Sequence, residues 1–283
     1  MKKIQWTMII LAVVSIGIIT SYFTIFRIPD SATLIVNTKK NDFHKNSLQC
    51  YENPTAAVID VDSKIDVLVW NIFKQSKNNW QQQLQQYSKH SQLALLQEVS
   101  MTEAFKTYTQ QSAWFSSHVD AFRVFGTSTG VLTLSTVSPT RACAHIEYEP
   151  WIQLPKSGIY AEFKLSDGRK LVVVNLHSVN FTYGVKEYEL QLLALAGALK
   201  KHQGPIIFAG DLNAWSLERI STIEKQLNEI GLIEVKFEPD NRKEFINGMA
   251  LDYVFYRQLT VLNAQTPVTN ASDHNPLKVT FGL

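Results

Sequence analysis

The chain has 283 residues, enough for one large α/β domain or two small ones. Hydrophobic residues make up 45% of it and charged residues 18%, which excludes a disordered or fibrous protein and indicates an ordinary globular core. The net charge of +2 and the pI of about 8.4 lie below the basic range, above about 9, that marks many nucleic-acid-binding domains. Charge alone therefore does not select a substrate.

The chain opens with a long apolar segment. Residues 4–26 contain no charged residue, and a helix of this length spans the roughly 30 Å of a bilayer's hydrocarbon core. A secretory signal usually has a shorter apolar region and an Ala-x-Ala-like cleavage site, and no such site stands out here. Trp6, Tyr22 and Phe23 lie near the ends of the segment, as interfacial aromatic residues do. The sequence predicts an uncleaved membrane anchor at residues 1–28.

The charges that flank this segment give its orientation. Lys2 and Lys3 favour a cytoplasmic N-terminus, whereas Arg27, Lys39 and Lys40 lie within range on the other side. We expect the domain that follows to lie outside the cytoplasm.

The chain has two cysteines, Cys50 and Cys143. A disulfide between them would fit an oxidising compartment, and two unpaired thiols would fit a reducing one. Two cysteines leave both possibilities open.

The predicted elements follow in chain order. Residues 29–60 mix Pro, Asn, Lys and Ser with little periodicity and are predicted to be a linker. Strands are predicted at 64–71, 92–99, 130–135, 142–148, 158–165, 170–177, 205–210, 232–237, 251–256 and 277–282, and helices at 78–90, 103–111, 184–202 and 216–231. Asp167-Gly168 predicts a hairpin turn. This pattern predicts one domain, 61–283: a four-layer α/β/β/α sandwich of two packed, mostly antiparallel sheets flanked by helices.

Polar side chains recur at or near the ends of the predicted strands. Taken singly, each has an ordinary explanation, such as a capped turn, a buried ion pair or a core histidine. A carboxylate inside "LALLQEV" is costly to bury alone, so Glu98 is better explained as a metal ligand or half of an ion pair. The positions are Asn71, Gln97-Glu98, His177, Asp211 with Asn213, Asp252, and Asp273-His274.

Two runs carry most of the chemistry, "AGDLNAW" (209–215) and "ASDHNPL" (271–277). Asp211 and Asp273 offer carboxylates for a hard cation, Asn213 an amide donor for a developing oxyanion, and His274 a proton acceptor. Together these groups predict metal-assisted phosphoester hydrolysis at one cleft.

The order of these signatures resembles the endonuclease/exonuclease/phosphatase superfamily over about 61–283. An Asn follows the first strand, and "QE", "LH", "GDLN", "LDY" and "SDH" come after it in turn. The superfamily includes pancreatic-type deoxyribonucleases, exonuclease III-like repair enzymes, neutral sphingomyelinases and inositol-polyphosphate phosphatases. Within it, the chain is most similar to a bacterial branch with an "LVWNI-K" opening and a "GD-NAWS" motif.

The resemblance implies a metal site. Glu98 would bind a catalytic Mg²⁺ or Mn²⁺, with Asn71 beside it and Asp273 as the residue that completes the shell. Oxygen ligands with few soft donors suit these two cations better than zinc.

The resemblance also implies catalytic roles. Asp211 would orient or deprotonate the attacking water, and Asn213 would stabilise the pentavalent phosphorus. His274, oriented by Asp252, would hold the scissile phosphate or transfer a proton. His177 matches the second histidine of the deoxyribonuclease and sphingomyelinase branches, where it contacts phosphate or assists the leaving group.

Some expected residues are absent. The repair enzymes carry Pro-Asn where this chain has Leu176-His177, which argues against abasic-site endonuclease activity. The glutamate that supports the second histidine in the deoxyribonuclease branch has no clear counterpart before Gly130, which leaves Asn180 as a candidate support for His177. The basic phosphate-reading residues of inositol phosphatases are not evident either.

Three functional hypotheses follow. The first is a membrane-tethered, metal-dependent phosphodiesterase, most simply a monomeric nuclease. The second is a phospholipid phosphodiesterase or phosphatase of the sphingomyelinase or phosphoinositide type, favoured by a nearby bilayer. The third is a non-catalytic binding protein on the same fold, which is weakest because the expected catalytic side chains are present.

The segment after His177 bears on the substrate. Phe181, Tyr183, Lys186 and Tyr188 suit stacked bases and phosphates, or a lipid headgroup interface, or simple packing onto the next helix. Nucleic acid is favoured over lipid because His177 matches the deoxyribonuclease pattern.

Overall fold

The computed structural model describes residues 2–38, 42–44 and 49–283. Lys39 and Lys40, two of the charges that follow the apolar segment, lie outside the described residues, and so do the side chains of Lys2 and Lys3. The helices are α1 (Lys2–Ile25), α2 (Trp80–Ser88), α3 (Glu103–Gln111), α4 (Lys186–Leu199) and α5 (Leu217–Asn228). A short 3-10 helix, Phe73–Gln75, follows the first long strand.

The strands form two sheets. They are β1 (Phe26–Arg27), β2 (Leu34–Thr38), β3 (Asp42–His44), β4 (Cys50–Glu52), β5 (Lys64–Asn71), β6 (Leu93–Ser100), β7 (Phe115–Val119), β8 (Phe122–Val124), β9 (Thr127–Ser135), β10 (Arg141–Tyr148), β11 (Pro155–Lys164), β12 (Lys170–His177), β13 (Ile206–Asp211), β14 (Ile233–Glu234), β15 (Asp252–Arg257), β16 (Thr260–Gln265) and β17 (Leu277–Gly282). The first sheet runs β16-β17-β5-β6-β9-β7-β2-β3, with β8 joining β1 to β9. The second runs β14-β15-β13-β12-β11-β10-β4.

Three apolar clusters build the layers. The central cluster lies between the sheets and takes Val67 and Leu95 from the first sheet and Val173 and Ile207 from the second. A second cluster packs α4 and α5 onto the outer face of the second sheet, and a third packs α2 and α3 onto the first. The inner strands are therefore covered on both faces, which explains why segments such as "KLVVVNLH" are continuously apolar. The predicted four-layer sandwich is confirmed.

Two parallel strand pairs determine where the polar strand ends meet. β5 pairs with β6 across α2, and β12 pairs with β13 across α4. Because parallel strands end at the same edge of a sheet, Asn71 and Glu98 leave the first sheet on one side, and His177 and Asp211 leave the second together. Gln97 Nε2 donates to Asn175 Oδ1 at 2.7 Å and joins the two sheets beneath this edge.

The segment predicted as a linker, 29–60, differs in the structure. β2 pairs with β7 and with β3, β4 pairs with β10, and Cys50 forms a disulfide with Cys143. β2 buries Leu34 and Val36 but has only five residues, and β4 has three residues at a sheet edge with none fully buried, so both leave little apolar periodicity in the sequence. This part of the chain is built into the sandwich, and residues 39–41 and 45–48 are outside the described residues.

The apolar N-terminal helix is present as α1. Its apolar part, Ile4–Ile25, is not buried in the protein. Its C-terminal end contacts the sandwich directly: Phe125 N donates to Ile25 O at 2.9 Å, and Tyr22 Oη donates to Ile152 O at 2.9 Å. β1 begins at the next residue, Phe26, and pairs with β8. A helix of this kind is either a membrane anchor or a signal sequence.

Candidate active site

Side chains from both sheets converge at the edge where β5, β6, β12 and β13 end. A cleft of about 310 Å³ lies here, with Lys74, Glu98, Lys156 and His177 in its polar part. The loop before β17 is held to the end of β5, because Ser272 Oγ donates to Asn71 O at 2.7 Å and Trp70 Nε1 donates to His274 O at 2.9 Å. These bonds explain why "SDH", remote in sequence, reaches the same place.

His274 and Asp252 form a buried pair. His274 Nδ1 lies 2.7 Å from Asp252 Oδ2, within the hydrogen-bonding distance that the sequence predicted. Burial alone would lower the pKa of His274, but the charge and hydrogen bond of Asp252, with the charges of Asp211 and Asp273, raise it to about 10. The imidazole is thus a cation at neutral pH, and its Nε2 lies 4.0 Å from Asp211 Oδ2.

One nitrogen or carboxylate oxygen from each of Asp211, Asp252 and His274 lies within 4.8 Å of the other two. That spacing alone is compatible with a metal centre. His274 Nδ1 is already bonded to Asp252, however, and this pairing orients the ring for proton transfer. The three residues are better described as an acid–base group.

Asp211 is held in place by two donors. Asn71 Nδ2 donates to its Oδ2 at 2.9 Å, and the backbone N of Asn213 donates to its Oδ1 at 3.0 Å. Asn213 adopts a positive φ of 46° and donates its amide to Ser178 O at 2.9 Å. Gly210 precedes them with φ 144°, and a Cβ there would stand 1.9 Å from Leu176 O, so this turn requires glycine.

Glu98 is aimed into the cleft by an irregularity in β6. The register with β9 shifts between Leu96 and Val99, and Glu98 has a positive φ of 53°. Such a bulge re-aims one side chain of a strand. The Glu98 carboxylate accepts a hydrogen bond from the Lys74 ammonium. Burial alone would raise the pKa of Glu98, but the positive charges of His177 when protonated, Lys156 and Lys74 outweigh it and lower the pKa to about 2.

His177 faces both charges of the cleft. Its Nε2 lies 2.9 Å from Lys156 Nζ, 3.5 Å from Asp211 Oδ2 and 3.9 Å from Glu98 Oε1. Burial and the charge of Lys156 lower its pKa to about 4, although Asp211 and Glu98 act in the opposite direction. An ammonium can only donate, so Nε2 accepts and the ring is neutral with its proton on Nδ1.

The support expected for His177 is different in the structure. Asn180 Oδ1 accepts instead from Trp215 Nε1 at 2.8 Å, and the Asn180 backbone N donates to Glu149 Oε1 at 2.7 Å. Lys156 is the partner of His177, and sequence reasoning missed it. Lys156 lies in "PKSGIY", where nothing distinguishes it from a surface lysine; Lys74 was at least part of the "LVWNI-K" motif.

The structure brings most of the predicted residues together. His177, Asp211, Asn71, Asp252 and His274 are linked by the contacts above, Glu98 joins them through His177, and Asn213 lies under Asp211. Asp273 is exposed, and Ser272 Oγ donates to its Oδ1 at 3.4 Å. Among the contacts of the described residues, none joins Asp273 to Glu98 or Asn71, so its role as a ligand stays a prediction.

The donor set fits a hard divalent cation. Glu98 is ionised at neutral pH, and Asn71 Oδ1 accepts only the backbone N of Phe73 at 3.1 Å among the described contacts. A carboxylate and an amide oxygen are typical ligands of Mg²⁺ and Mn²⁺. The Lys74 ammonium balances the charge of Glu98.

The chain is similar to known proteins in sequence and in fold. A UPF0294 protein of Vibrio cholerae is 48% identical over 283 residues, which covers 100% of this chain and 99% of the relative. The endonuclease/exonuclease/phosphatase structure from Bacteroides vulgatus superposes with a TM-score of 0.62 at 18% identity, covering 78% of this chain and 100% of that one. D. rerio TDP2 complexed with single-strand DNA product gives a TM-score of 0.56 at 18% identity, with coverages of 78% and 100%.

The two structural likenesses each cover 78% of this chain, and the family match includes the strand ends that carry the site. Residues 68–274 match the Endonuclease/Exonuclease/phosphatase family from just inside β5 to His274. The chain belongs to the endonuclease/exonuclease/phosphatase family.

Proposed function

We propose that this protein is a divalent-metal-dependent phosphodiester hydrolase. The observation that carries the proposal is the position of Asp211, whose carboxylate lies 4.0 Å from the His274 cation and 3.5 Å from His177. Glu98, the expected metal ligand, contacts the same His177 nitrogen at 3.9 Å. A candidate general base, a cationic donor and the carboxylate expected to bind metal are thus connected through His177 and Asp211, as the reaction requires.

The residues divide the work of hydrolysis. Asp211 accepts a proton from the attacking water, whose oxygen forms a new bond to phosphorus as the bond to the leaving oxygen breaks. The proton returns through solvent to the leaving oxygen, so the products are a phosphomonoester and an alcohol. His274 donates from Nε2 to a phosphoryl oxygen, and Asp252 keeps it charged and oriented. A divalent cation held by Glu98 and Asn71 would supply Lewis-acid charge to the phosphoryl oxygens.

Metal removal and restoration test the proposal. The full-length chain, purified in detergent, should hydrolyse bis(p-nitrophenyl) phosphate with Mg²⁺ or Mn²⁺, lose activity in EDTA, and recover when either metal is restored. Asp211→Asn should lower the rate of hydrolysis by at least about a hundredfold, which is the usual contribution of a positioned base. Asp167→Asn, in the hairpin turn at the other end of β12, is the matched control. Full activity in excess EDTA would refute the metal mechanism.

Nuclease activity, expected from the sequence, stays a prediction. The DNA product bound to D. rerio TDP2 supports it by analogy of fold alone. Of the residues expected to contact bases, Tyr188 is fully buried and donates to Leu212 O at 2.6 Å, so it is unavailable for stacking. Phe181 and Tyr183 are exposed.

A phospholipid phosphodiesterase is the second candidate function. The specific observation that favours it is the attachment of the apolar helix α1 to the wall of the cleft, since Tyr22 bonds to Ile152 and Ile152 lines the cleft.

We further propose that α1 is an uncleaved anchor and that the sandwich lies outside the cytoplasm. The Cys50–Cys143 disulfide supports an oxidising compartment. An alkaline phosphatase reporter fused after Leu283 should be active, and a fluorescent protein that folds only in the cytoplasm should be dark there. The reverse pattern would overturn the orientation, and a mature chain that starts near residue 30 would overturn the anchor.

A further inference from the structure

We propose that the exposed apolar side chains around the cleft form a membrane-docking rim, which places the cleft on the bilayer that holds α1 and makes a membrane phospholipid its substrate. The rim consists of Phe125, Trp151, Ile152, Phe181 and Tyr183. The docking of the rim stands on geometry alone, whereas the hydrolysis of lipid rests on the proposed function.

The membrane helix α1 is joined rigidly to the sandwich. α1 ends at Ile25 and β1 starts at Phe26, so no flexible residue separates them. β1 then pairs with β8 through Phe26 opposite Val124 and Arg27 opposite Arg123. With the bonds from Phe125 N to Ile25 O and from Tyr22 to Ile152, the helix end is fixed to two separate segments of the sandwich. The domain therefore cannot swing away from its anchor.

The length of α1 determines how deep this junction lies relative to the bilayer. The apolar part of α1, Ile4–Ile25, has 22 residues and a length of about 33 Å, close to the roughly 30 Å of hydrocarbon that a helix must cross. Tyr22 and Ile25 then lie at the membrane–water interface, where tyrosine is enriched. Arg27, exposed just beyond, lies at the level of the lipid phosphates. The Ile152 carbonyl and β8, which bond to this helix end, lie at the same level.

The protein surface at that level carries exposed apolar side chains. Phe125 is 76% exposed, Trp151 68% and Tyr183 87%, and the exposed Ile152 and Phe181 line the cleft. Clustered apolar exposure on a soluble protein usually marks an interaction site. Phe125 and Ile152 adjoin the helix end itself, so the rim continues the surface of a membrane-crossing helix, and lipid is the partner that this continuity indicates.

The cleft beside the rim combines an apolar wall with positive charge. One wall is apolar, with Ala121, Phe122, Ile152 and Leu154, while the ammonium groups of Lys74 and Lys156 lie beside the catalytic groups. This pairing suits a molecule with one phosphoester and an apolar body. A nucleic-acid strand would need a cationic track along several phosphates, whereas the lining of this cleft supplies two ammonium groups at one place.

Fluorescence quenching tests the docking without reference to activity. The full-length chain is placed in nanodiscs of phosphatidylethanolamine and phosphatidylglycerol, with or without lipids brominated near the headgroup end of the acyl chains. The emission of Trp151 is obtained as the difference between the wild type and Trp151→Phe. We expect the brominated lipids to quench it. The emission lost in Trp114→Phe, which packs in the α2/α3 layer, should not be quenched and serves as the control. An unquenched Trp151 would overturn the rim.

Hydrolysis in cis and in trans tests the substrate. The full-length chain in vesicles of the same two lipids, with Mn²⁺, should release phosphorylated or free headgroup from its own vesicle much faster than from added vesicles without protein. Phe125→Ser/Trp151→Ser should lower the ratio of lipid hydrolysis to bis(p-nitrophenyl) phosphate hydrolysis by about tenfold or more. Leu262→Ser, an exposed leucine in β16 near the opposite ends of the strands, should leave the ratio unchanged.

The outcomes separate the two proposals. Cleavage of an added single-stranded oligonucleotide with no lipid product would replace the lipid substrate by nucleic acid, and equal rates in cis and trans would remove the orienting role of α1. If lipid, oligonucleotide and chromogenic diester all stay intact, the proposed function fails, and the quenching experiment still decides whether the rim docks. A mature chain that lacks α1 would overturn the docking itself.

Discussion

The two histidine corners of the site face the same Asp211 carboxylate in different charge states. His274 lies between Asp252 and Asp211 and is held as a cation, whereas His177 accepts from the Lys156 ammonium and is held neutral. The histidines have the same chemistry and similar burial, so their neighbours alone set the difference. One corner carries its positive charge on the imidazole, and the other carries it on lysines.

The largest effect is expected from breaking the cationic corner. His274→Ala should lower kcat/KM by about 10²–10⁴-fold, the usual worth of a positioned acid–base group. Asp252→Asn should lower it by a smaller factor, because the imidazole remains but loses the carboxylate that keeps it charged. His90→Ala, on the surface after α2, is the control. Steady-state hydrolysis of a chromogenic diester measures all three, and a His274→Ala enzyme as active as wild type would refute the role.

The neutral corner is tested by removing its lysine. Lys156→Met should raise the pKa of His177 from about 4 towards its ordinary value of about 6.5, because the charge that opposes protonation is gone. Histidine NMR titration of the metal-free protein in detergent measures this shift. Activity should fall by about tenfold through the lost charge. Lys170→Met, at the other end of β12, is the matched control, and an unmoved His177 resonance would contradict the assigned contact.

Lys74 separates charge balance from metal binding in the same corner. Glu98→Gln should abolish Mn²⁺ binding, whereas Lys74→Met should tighten it several-fold, because the ammonium no longer competes for the carboxylate. Isothermal titration with Mn²⁺ measures both variants. Weaker binding in Lys74→Met would show that the lysine supports the site instead of competing for it.

The smallest effect is on stability, where the two corners should act at opposite ends of the pH range. His177 has a folded pKa below its unfolded value, so the unfolded chain binds more protons and stability should fall as pH drops from about 6.5 to about 4. His274 has a raised folded pKa, so its contribution should be present below about pH 6.5 and lost as pH rises towards about 10. Thermal unfolding in EDTA should show His177→Phe with less acid loss and Asp252→Asn with less alkaline loss.

The sequence predicted the elements that carry the site better than those that surround it. β5, β12, β17 and α3 have the predicted bounds, because each combines a long apolar or amphipathic pattern with clear turns. β7, β8 and β16 were not predicted, since β7 and β8 have only five and three residues and β16 lies at a sheet edge with no buried side chain. The same reason explains why β2–β4 were read as a linker.

The candidate site was predictable where chemistry sits in a motif. Asp211, Asp252 and His274 follow from "GDLN", "LDY" and "SDH", and the pair between Asp252 and His274 is present. Lys156 could not be predicted, because its importance arises only when β11 pairs with β12 and brings it to His177. The burial that lowers the pKa of His177 is likewise a property of the folded molecule.

The hydrogen bond between Gln97 and Asn175 holds the two sheets in a fixed position relative to each other beneath the cleft. Three contacts of the site join residues of the first sheet and its loops to the second sheet: Asn71 to Asp211, Glu98 to His177, and His274 to Asp252. An apolar interface between sheets has no directional bonds to stop it from sliding, and a slip of one residue moves a side chain by about 3.3 Å. Catalytic groups tolerate only about 0.5 Å. The directional bonds of Asn175 with Gln97 at 2.7 Å and with Leu132 O at 3.0 Å therefore align two half-sites that neither sheet could build alone.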